Sequence, residues 1–571
     1  MRDRRNGAAA WRSLCLGFVM LAALVAWPAA AAAKPCVKAC TTLERNCAGF
    51  ARTAFKSARA ACADRDCRKT AKRTHRTATA ECRAARKACR PCCKIGSPNA
   101  CAQKTGVRLA AEPQETGDPA LGRDLLLGGD YMTCGIPYKV WELTPEIIAG
   151  SYGNAADAPR IPGRPGDNAA LPYFLNVFEA PDSGARVVAA NCLMCHGSEF
   201  DGTFHLGLGN ATADFTAGAG GAATGIDLTD AFMDLLGLDD AERAQLQKIA
   251  GRGAALSGLT RMRTVGMNPA ELFAVILMVH HDRDTLAWSD EPLAPLTPRD
   301  HQGQPLADPR LTSDPPPWWR VHKKNALFYN GMARGDHRGT MALATSVCVD
   351  DVARAQQVDE QFRHIQAYVA SLRAPAYPRA IDTALAAKGK PLFERDCAIC
   401  HGTYADSDEH ESYPNLLFPL DAIGTDPAVA EAGTVHSPEL VAWYNGSFYG
   451  GVTRMVPDDP FAGYMAPPLD GIWATAPFFH NGSVPTVELV LNSRARPAYW
   501  RRVDQDSRHF DEDALGWPWV ASEVPQAAAP AAERKYVYDT TYWSQSNAGH
   551  PFGDHFTADE RRAVIEYLKT F

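Results

Sequence analysis

Two short segments of the chain share an unusual arrangement of sulfur and nitrogen side chains. Residues 191–197 are NCLMCHG and residues 396–402 are DCAICHG, so each contains Cys-x-x-Cys followed directly by His. This spacing is the attachment signature of c-type haem, in which both thiols bond to the porphyrin. The histidine then lies beneath the ring and supplies a nitrogen to the iron. The sequence therefore predicts two covalently bound haems with their iron.

The predicted cofactor-binding residues are Cys192, Cys195 and His196 in the first motif and Cys397, Cys400 and His401 in the second. A redox-active disulfide and half of a zinc site are the main alternatives. A redox disulfide does not need the histidine, and zinc needs a second pair of ligands nearby. Chance could produce one such segment in a chain with 17 cysteines. Two such segments lie in the cysteine-poor part of the chain and each is followed by Gly, which favours haem over chance.

The second axial ligand decides what each iron can do. An iron with a strong second ligand transfers electrons, whereas an iron with an open position can bind O₂ or peroxide. Thirteen further histidines follow the cysteine-rich region, and Met455 and Met465 are methionine candidates after the second motif. The residues alone leave this choice open.

The elements that position the motifs are predicted to be mainly helical. Residues 362–378 have the pattern of an amphipathic helix that ends at prolines, and a helix from residue 382 leads into the second motif. We expect each motif to lie after or within a helix. Thr557 and Glu560 form a capping box for a C-terminal helix.

The fold class expected is mainly α and loop-rich, with two cytochrome c-like haem domains after a disulfide-stapled helical arm. At 571 residues the chain is too long for one compact core. The predicted segments are a signal peptide (1–33), a cysteine-rich basic arm (34–104), an N-terminal haem domain (105–378) and a C-terminal haem domain (379–571).

The N-terminus has the features of an export signal. Residues 1–12 are positively charged, and residues 13–33 are apolar and end in small side chains. The alternative is an uncleaved membrane anchor, since 21 residues lie between Arg12 and Lys34. Either way we expect the rest of the chain outside the cytoplasm, periplasmic or secreted, with no stable membrane span after signal cleavage.

The arm is basic and holds most of the cysteines. Residues 36–104 contain ten cysteines and 17 Lys and Arg against 4 Asp and Glu, whereas residues 105–571 carry 37 basic and 60 acidic residues, a balance of −23. The arm could dock on an anionic surface or on the protein's own acidic body, or be a solvated module with no specific partner. In an oxidising compartment disulfides are favoured over zinc in the arm, and Cys134 is expected to pair with Cys348.

Several longer segments resemble one protein family. The two motifs about two hundred residues apart, together with YMAPPLDGIWATAPFFHNGSVPTVELVL at 464–491, resemble the di-haem cytochrome c peroxidase superfamily. NALFYNGMARGD at 325–336, SNAGHPFGDHF at 546–556 and the final YLKTF are most similar to the secreted di-haem rubber oxygenases and their relatives. The resemblance covers roughly 108–571 and leaves the arm outside it.

The resemblance implies unequal haems. The N-terminal haem would have an open distal face and activate O₂. The C-terminal haem would be six-coordinate, with a second histidine near the end of the chain that maps onto His550. Met465 and His480 are the alternatives for this metal ligand.

The resemblance also implies an aromatic residue over the first haem. The segment DPPPWW at 314–319 makes Trp318 the candidate catalytic residue on the distal face, with Trp319 and Phe328 nearby. The oxygenases have Phe at this position, so a tryptophan is a departure from the pattern. Trp288 is an alternative for an aromatic that conducts electrons between the haems. Ordinary core packing is the simpler role for each.

These features predict an exported haem-dependent oxidoreductase. The first hypothesis is a dioxygenase that cleaves a hydrophobic C=C substrate, polymeric or small, with O₂. The second is a peroxidase that uses peroxide and electrons from a small electron-transfer protein. The third is an electron carrier without catalysis. Nothing in the sequence suggests nucleic acid as a partner.

Overall fold

The computed structural model describes residues 106–218, 229–258, 260–294, 297–405 and 407–571, together with positions 68, 69, 72 and 76. The predicted signal peptide, the arm's ten cysteines and nearly all of its other residues lie outside the described residues. Within the described ranges, no helix is long and apolar enough to cross a bilayer.

Helices make up most of the regular structure. They are α1 (Pro119–Gly128), α2 (Tyr138–Leu143), α3 (Pro145–Ser151), α4 (Leu193–His196), α5 (Asp230–Leu235), α6 (Asp240–Ser257), α7 (Ala270–His280), α8 (Arg338–Leu343), α9 (Val352–Ser371), α10 (Thr383–Asp396), α11 (Ala398–His401), α12 (Leu420–Ile423), α13 (Ala428–Glu431), α14 (Pro438–Gly446), α15 (Val487–Val490) and α16 (Ala558–Leu568). A 3₁₀ helix spans Trp318–Lys323, and a π-helical turn spans Ala432–His436.

The strands are short and form small antiparallel sheets. They are β1 (Val107–Arg108), β2 (Ile136–Pro137), β3 (Leu175–Glu179), β4 (Arg186–Ala190), β5 (Gly197–Phe200), β6 (Thr203–Leu206), β7 (Ala333–Gly335), β8 (Leu416–Pro419), β9 (Thr453–Met455), β10 (Gly463–Met465), β11 (Tyr499–Arg502), β12 (Trp519–Ala521) and β13 (Tyr538–Asp539).

Two helix pairs form the frame, and each pair crosses at a glycine. Helix α1 packs on α9, and α10 packs on α16. A Cβ atom added at Gly122 of α1 would lie 1.9 Å from the carbonyl oxygen of His364, and one added at Gly389 of α10 would lie 1.9 Å from that of Ala563. Only glycine allows backbones to approach this closely. The two halves of the chain therefore repeat one packing device.

Two of the sheets join segments that are distant in the chain. Strand β8 lies between β1 and β10, with Leu417 opposite both Val107 and Met465. Strand β7 pairs with β9, which places Gly335 opposite Thr453. These pairings hold the segment between β8 and β10 against the N-terminal half.

Two hydrophobic cores surround the two motifs. The first contains Leu193 and also Leu440 and Tyr444, which come from beyond the predicted boundary at 378/379. The second contains Phe393 and also Trp319, which comes from before it. The boundary stays a prediction from sequence, and the cores share chain across it.

Several local predictions can be compared directly with the structure. Cys134 and Cys348 form the predicted disulfide, which is buried. Thr557 and Glu560 form the predicted capping box of α16. The helix expected at 362–378 begins earlier and ends at Ser371. The prediction that the first motif lies after or within a helix is confirmed, because the motif lies within α4, although strand β4 rather than a helix precedes it.

Candidate functional site

The first motif places its three functional side chains on one helical turn. Cys192 caps α4, and Cys195 and His196 lie within it, so both thiols and the imidazole are close together. His196 Nδ1 donates to the carbonyl oxygen of Pro316 at 3.1 Å, and burial lowers the pKa of His196 to about 4. A neutral ring whose Nδ1 carries the proton leaves Nε2 free to bind a metal.

The second motif repeats this arrangement. Helix α10 leads into Cys397, and Cys400 and His401 lie in the short α11. His401 Nδ1 donates to the carbonyl oxygen of Pro467 at 2.8 Å, and burial lowers the pKa of His401 to about 4. The same proline-carbonyl contact thus orients the imidazole of each motif.

The residues of both motifs fit covalent haem. All four motif cysteines are unpaired, and burial raises the pKa of each thiol. Each motif histidine opens onto a cavity lined mainly by apolar side chains. Among the described residues, no group of three or more His, Cys, Asp or Glu could hold a metal ion on its own.

His550 faces His401 across the cavity of the second motif. The two ring centroids are 6.2 Å apart, and the rings are tilted by 59°. A metal about 2 Å from each facing nitrogen would fill this gap. Nδ1 of His550 is buried without a hydrogen-bond partner among the described residues, and burial lowers the pKa of His550 to about 3. The ring is therefore neutral and suited to ligation.

The alternative ligands have other neighbours. His480 lies in the same cavity, but its ring stacks on Tyr464 at 4.3 Å and its Nε2 is 3.1 Å from the Tyr464 hydroxyl. Met465 also lines this cavity and packs in a small core with Leu109. Met455 belongs to the first core.

Trp318 lies on the histidine side of the first site. Its ring stacks on that of His196 with centroids 4.8 Å apart and a tilt of 23°. The cause is local: Pro316, two residues earlier, accepts the hydrogen bond of the same imidazole. This placement differs from the prediction that Trp318 covers the opposite, distal face. Trp319 is buried in the second core and donates to Asp470 O at 2.8 Å.

Phe328 lies on one of two loops with the same geometry. Leu327 bridges Ala333 in the first loop, and Phe478 bridges Val484 in the second. In each loop the first bridging residue is followed by a phenylalanine with positive φ, which is 65° at Phe328 and 71° at Phe479.

The second loop approaches His550, since the ring centroids of Phe479 and His550 are 5.9 Å apart. Phe328 holds the corresponding place in the cavity of the first motif and is 37% exposed. Of the predicted aromatics, Phe328 is the one whose loop position matches that of Phe479.

Trp288 lies apart from both motifs. It stacks on His280 at 5.0 Å, under the Arg252 guanidinium, and packs in the core around the disulfide. Neither cavity includes it.

Five residues line both cavities and form what we call the shared wall: Asp314, Pro317, Arg320, Tyr329 and Pro467. Burial raises the pKa of Asp314 and lowers that of Arg320. Arg320 Nε donates to Asp470 O at 3.0 Å, which ties the first site to the loop after Pro467. The sequence analysis missed this wall. The one signal for it was a charged residue next to tryptophans in PWWRV.

The two cavities differ in size. The cavity at the first motif has a volume of about 480 Å³, against about 200 Å³ at the second. A half-buried carboxyl, Glu271, also faces the larger cavity; desolvation raises its pKa, and Ser313 Oγ donates to it at 2.5 Å.

Comparison with known proteins agrees with a haem-binding role. Residues 463–501, which contain Met465 and His480, match the family model described as RoxA-like, cytochrome c-like. This match indicates a c-type haem and a haem-dependent redox role for a small part of the chain.

Two curated relatives come from Sinorhizobium fredii (strain NBRC 101917 / NGR234). Uncharacterized protein y4iJ is 28% identical over 350 residues, which is 47% of this chain and 55% of the relative. Uncharacterized protein y4iM is 27% identical over 241 residues, 36% of this chain and 52% of the relative. The chain thus spans about half the length of these relatives.

Proposed function

We propose that the protein is an exported di-haem c-type oxidoreductase in which the haem at His196 reacts with O₂ and the haem at His401 holds electrons. One observation carries the proposal: the two motif histidines have unequal surroundings. His401 faces the imidazole of His550, whereas His196 stacks on an indole and opens onto a cavity more than twice as large.

The residues around His196 support a reaction with an apolar molecule. A c-type haem bound there supplies the iron to which O₂ binds. Pro316 keeps the proton on Nδ1 of His196, and the stacked Trp318 restricts the rotation of that ring. Phe328 and the mainly apolar lining exclude water and favour a hydrophobic C=C substrate. Glu271 and Asp314 are the candidates in this cavity for a proton donor, because burial favours the neutral form of each carboxyl.

The residues around His401 support electron storage. His401 and His550 would hold a haem between two imidazoles, and a haem held in this way would supply electron transfer. The five residues of the shared wall line both cavities, so the two sites lie next to each other.

Export is supported by the buried disulfide between Cys134 and Cys348. Such bonds persist in oxidising compartments and are rare in the cytoplasm. Together with the signal-like N-terminus, this favours the periplasm or the cell exterior.

Carbon monoxide binding to the reduced protein tests the proposal. We expect one of the two haems to bind CO and the other to keep its low-spin spectrum. We also expect O₂ uptake with polyisoprene or another alkene and no external reductant. If both haems are low-spin and neither binds CO, the result contradicts the proposal and favours an electron carrier. Peroxide turnover with a reduced cytochrome donor, without O₂ uptake, would favour a peroxidase.

A further inference from the structure

The cavity at the first motif is the larger of the two and extends to residues far from the motif in the chain. Both cavities must hold the same cofactor if both motifs carry one, yet the volumes are about 480 and 200 Å³. The first site therefore has additional volume that the second site lacks. One side of the lining comes from the segment around the π-helical turn Ala432–His436.

His436 is a polar group on this apolar wall. It is 4% exposed, and its Nδ1 donates to the carbonyl oxygen of Arg299 at 2.6 Å. Since that bond requires the proton on Nδ1, the neutral ring has a bare nitrogen at Nε2. Nε2 is buried and has no hydrogen-bond partner among the described residues. A buried acceptor without a partner is costly, so this nitrogen favours a ligand that donates to it.

The π-helical turn sets the position of His436 relative to Glu431. The amide of Ser437 donates to Ala432 O, which adds one residue to the turn. This places Glu431 and His436 on one side of the chain, but Oε2 of Glu431 stays 4.0 Å from Nε2, beyond hydrogen-bond distance. That carboxylate instead lies 3.1 Å from Nε2 of His301, which is solvent-exposed. Extra residues in helices of this kind occur frequently at functional sites.

The geometry points to a ligand subsite at His436: the first-site cavity binds an apolar molecule that carries a hydroxyl group, and the hydroxyl donates to Nε2 of His436. This inference names the substrate class for the proposed function and rests on it. The apolar lining accepts the chain of the molecule, and the bare nitrogen selects its polar end. A site built to accept one hydrogen bond discriminates strongly against analogues that lack the donor.

Titration calorimetry on the holoprotein with 1-octanol, methyl octyl ether and octanoate tests the inference. We expect 1-octanol to bind at least tenfold more tightly than the ether. His436→Phe should abolish that difference and leave ether binding unchanged. His509→Phe is the matched control, because His509 is exposed and pairs only with Asp504 among the described residues.

Equal binding of the alcohol and the ether, or no binding of either, would overturn the subsite. Tighter binding of octanoate would also overturn it, because it would mean a charged imidazolium at His436. The three ligands decide the question on the unaltered protein even where the variant does not fold. Binding heat requires no turnover, so failure here is distinct from failure of the first haem to bind CO.

Discussion

The backbone at His550 is held in an uncommon conformation. Its φ is 49°, and the preceding Gly549 has a φ of 78°. The amide of His550 donates to Ile423 O at 2.8 Å, and a Cβ at Gly549 would lie 2.2 Å from the backbone of Gly424. A residue of this kind in the left-handed region costs roughly 1–3 kcal/mol, and such residues cluster at functional sites. The surrounding contacts offset this cost to hold the ring opposite His401.

Replacing His550 with alanine should open the second site. We expect His550→Ala to remove the low-spin spectrum of the second haem and to raise CO binding from one haem per chain to two. The reason is that no imidazole would then face His401. Optical spectra of the reduced protein with and without CO measure both effects.

His509→Ala serves as the control for this change, since the His509 side chain is exposed and pairs with Asp504. A low-spin signal that persists unchanged in His550→Ala would exclude His550 as the ligand.

At the scale of elements, the glycine crossings should limit substitution sharply. Gly122→Ala would put a methyl group 1.9 Å from the carbonyl oxygen of His364, so α1 and α9 would have to separate. Overpacking of this kind costs about 1–3 kcal/mol or more. We expect the free energy of unfolding to fall by at least that amount in denaturant titrations.

Gly251 of α6 provides the matched comparison. Nothing lies within 4 Å of a Cβ added there. Gly251→Ala should therefore raise the free energy of unfolding by about 0.5–1 kcal/mol, because alanine loses less backbone entropy in a helix. Equal effects of the two substitutions would show that the crossing does not depend on the glycine.

Predictability also differs between elements. The cysteine motifs, the capping box and the helix before Cys397 depend on residues a few positions apart, so their patterns are visible in the sequence. The pairing of β7 with β9 depends on residues more than a hundred positions apart and has no local signal. The side on which Trp318 lies is set by the contact between Pro316 and His196, which a segment match does not encode. The resemblance implied a role for Phe328. Its correspondence to Phe479 is visible only in the repeated loop geometry.

At the scale of the whole molecule, one disulfide closes most of the N-terminal half. Cys134 and Cys348 are 214 residues apart in sequence. By the chain-entropy relation a loop of this length stabilises the folded state by about 5 kcal/mol. We expect a reductant to lower the unfolding temperature of the protein, as measured by circular dichroism at 222 nm.

A Cys134→Ser, Cys348→Ser double variant should unfold at the lower temperature with or without reductant. If a reductant lowers the unfolding temperature of the double variant by the same amount, the effect comes from other cysteines. A thiol count on the denatured, unreduced protein should also be near zero, because the motif cysteines would be bonded to haem and the others paired.

The shared wall makes the two sites depend on the same residues. Asp314, Pro317, Arg320, Tyr329 and Pro467 each face both cavities, so an exchange at any of them alters the surroundings of His196 and His401 together. The substitutions that these positions tolerate are then limited by the site that is more sensitive to a change in its lining. An inactive variant in this wall assigns no role to either iron by itself. Positions that face one cavity alone, such as His436 and His550, are where the sites can be tuned separately.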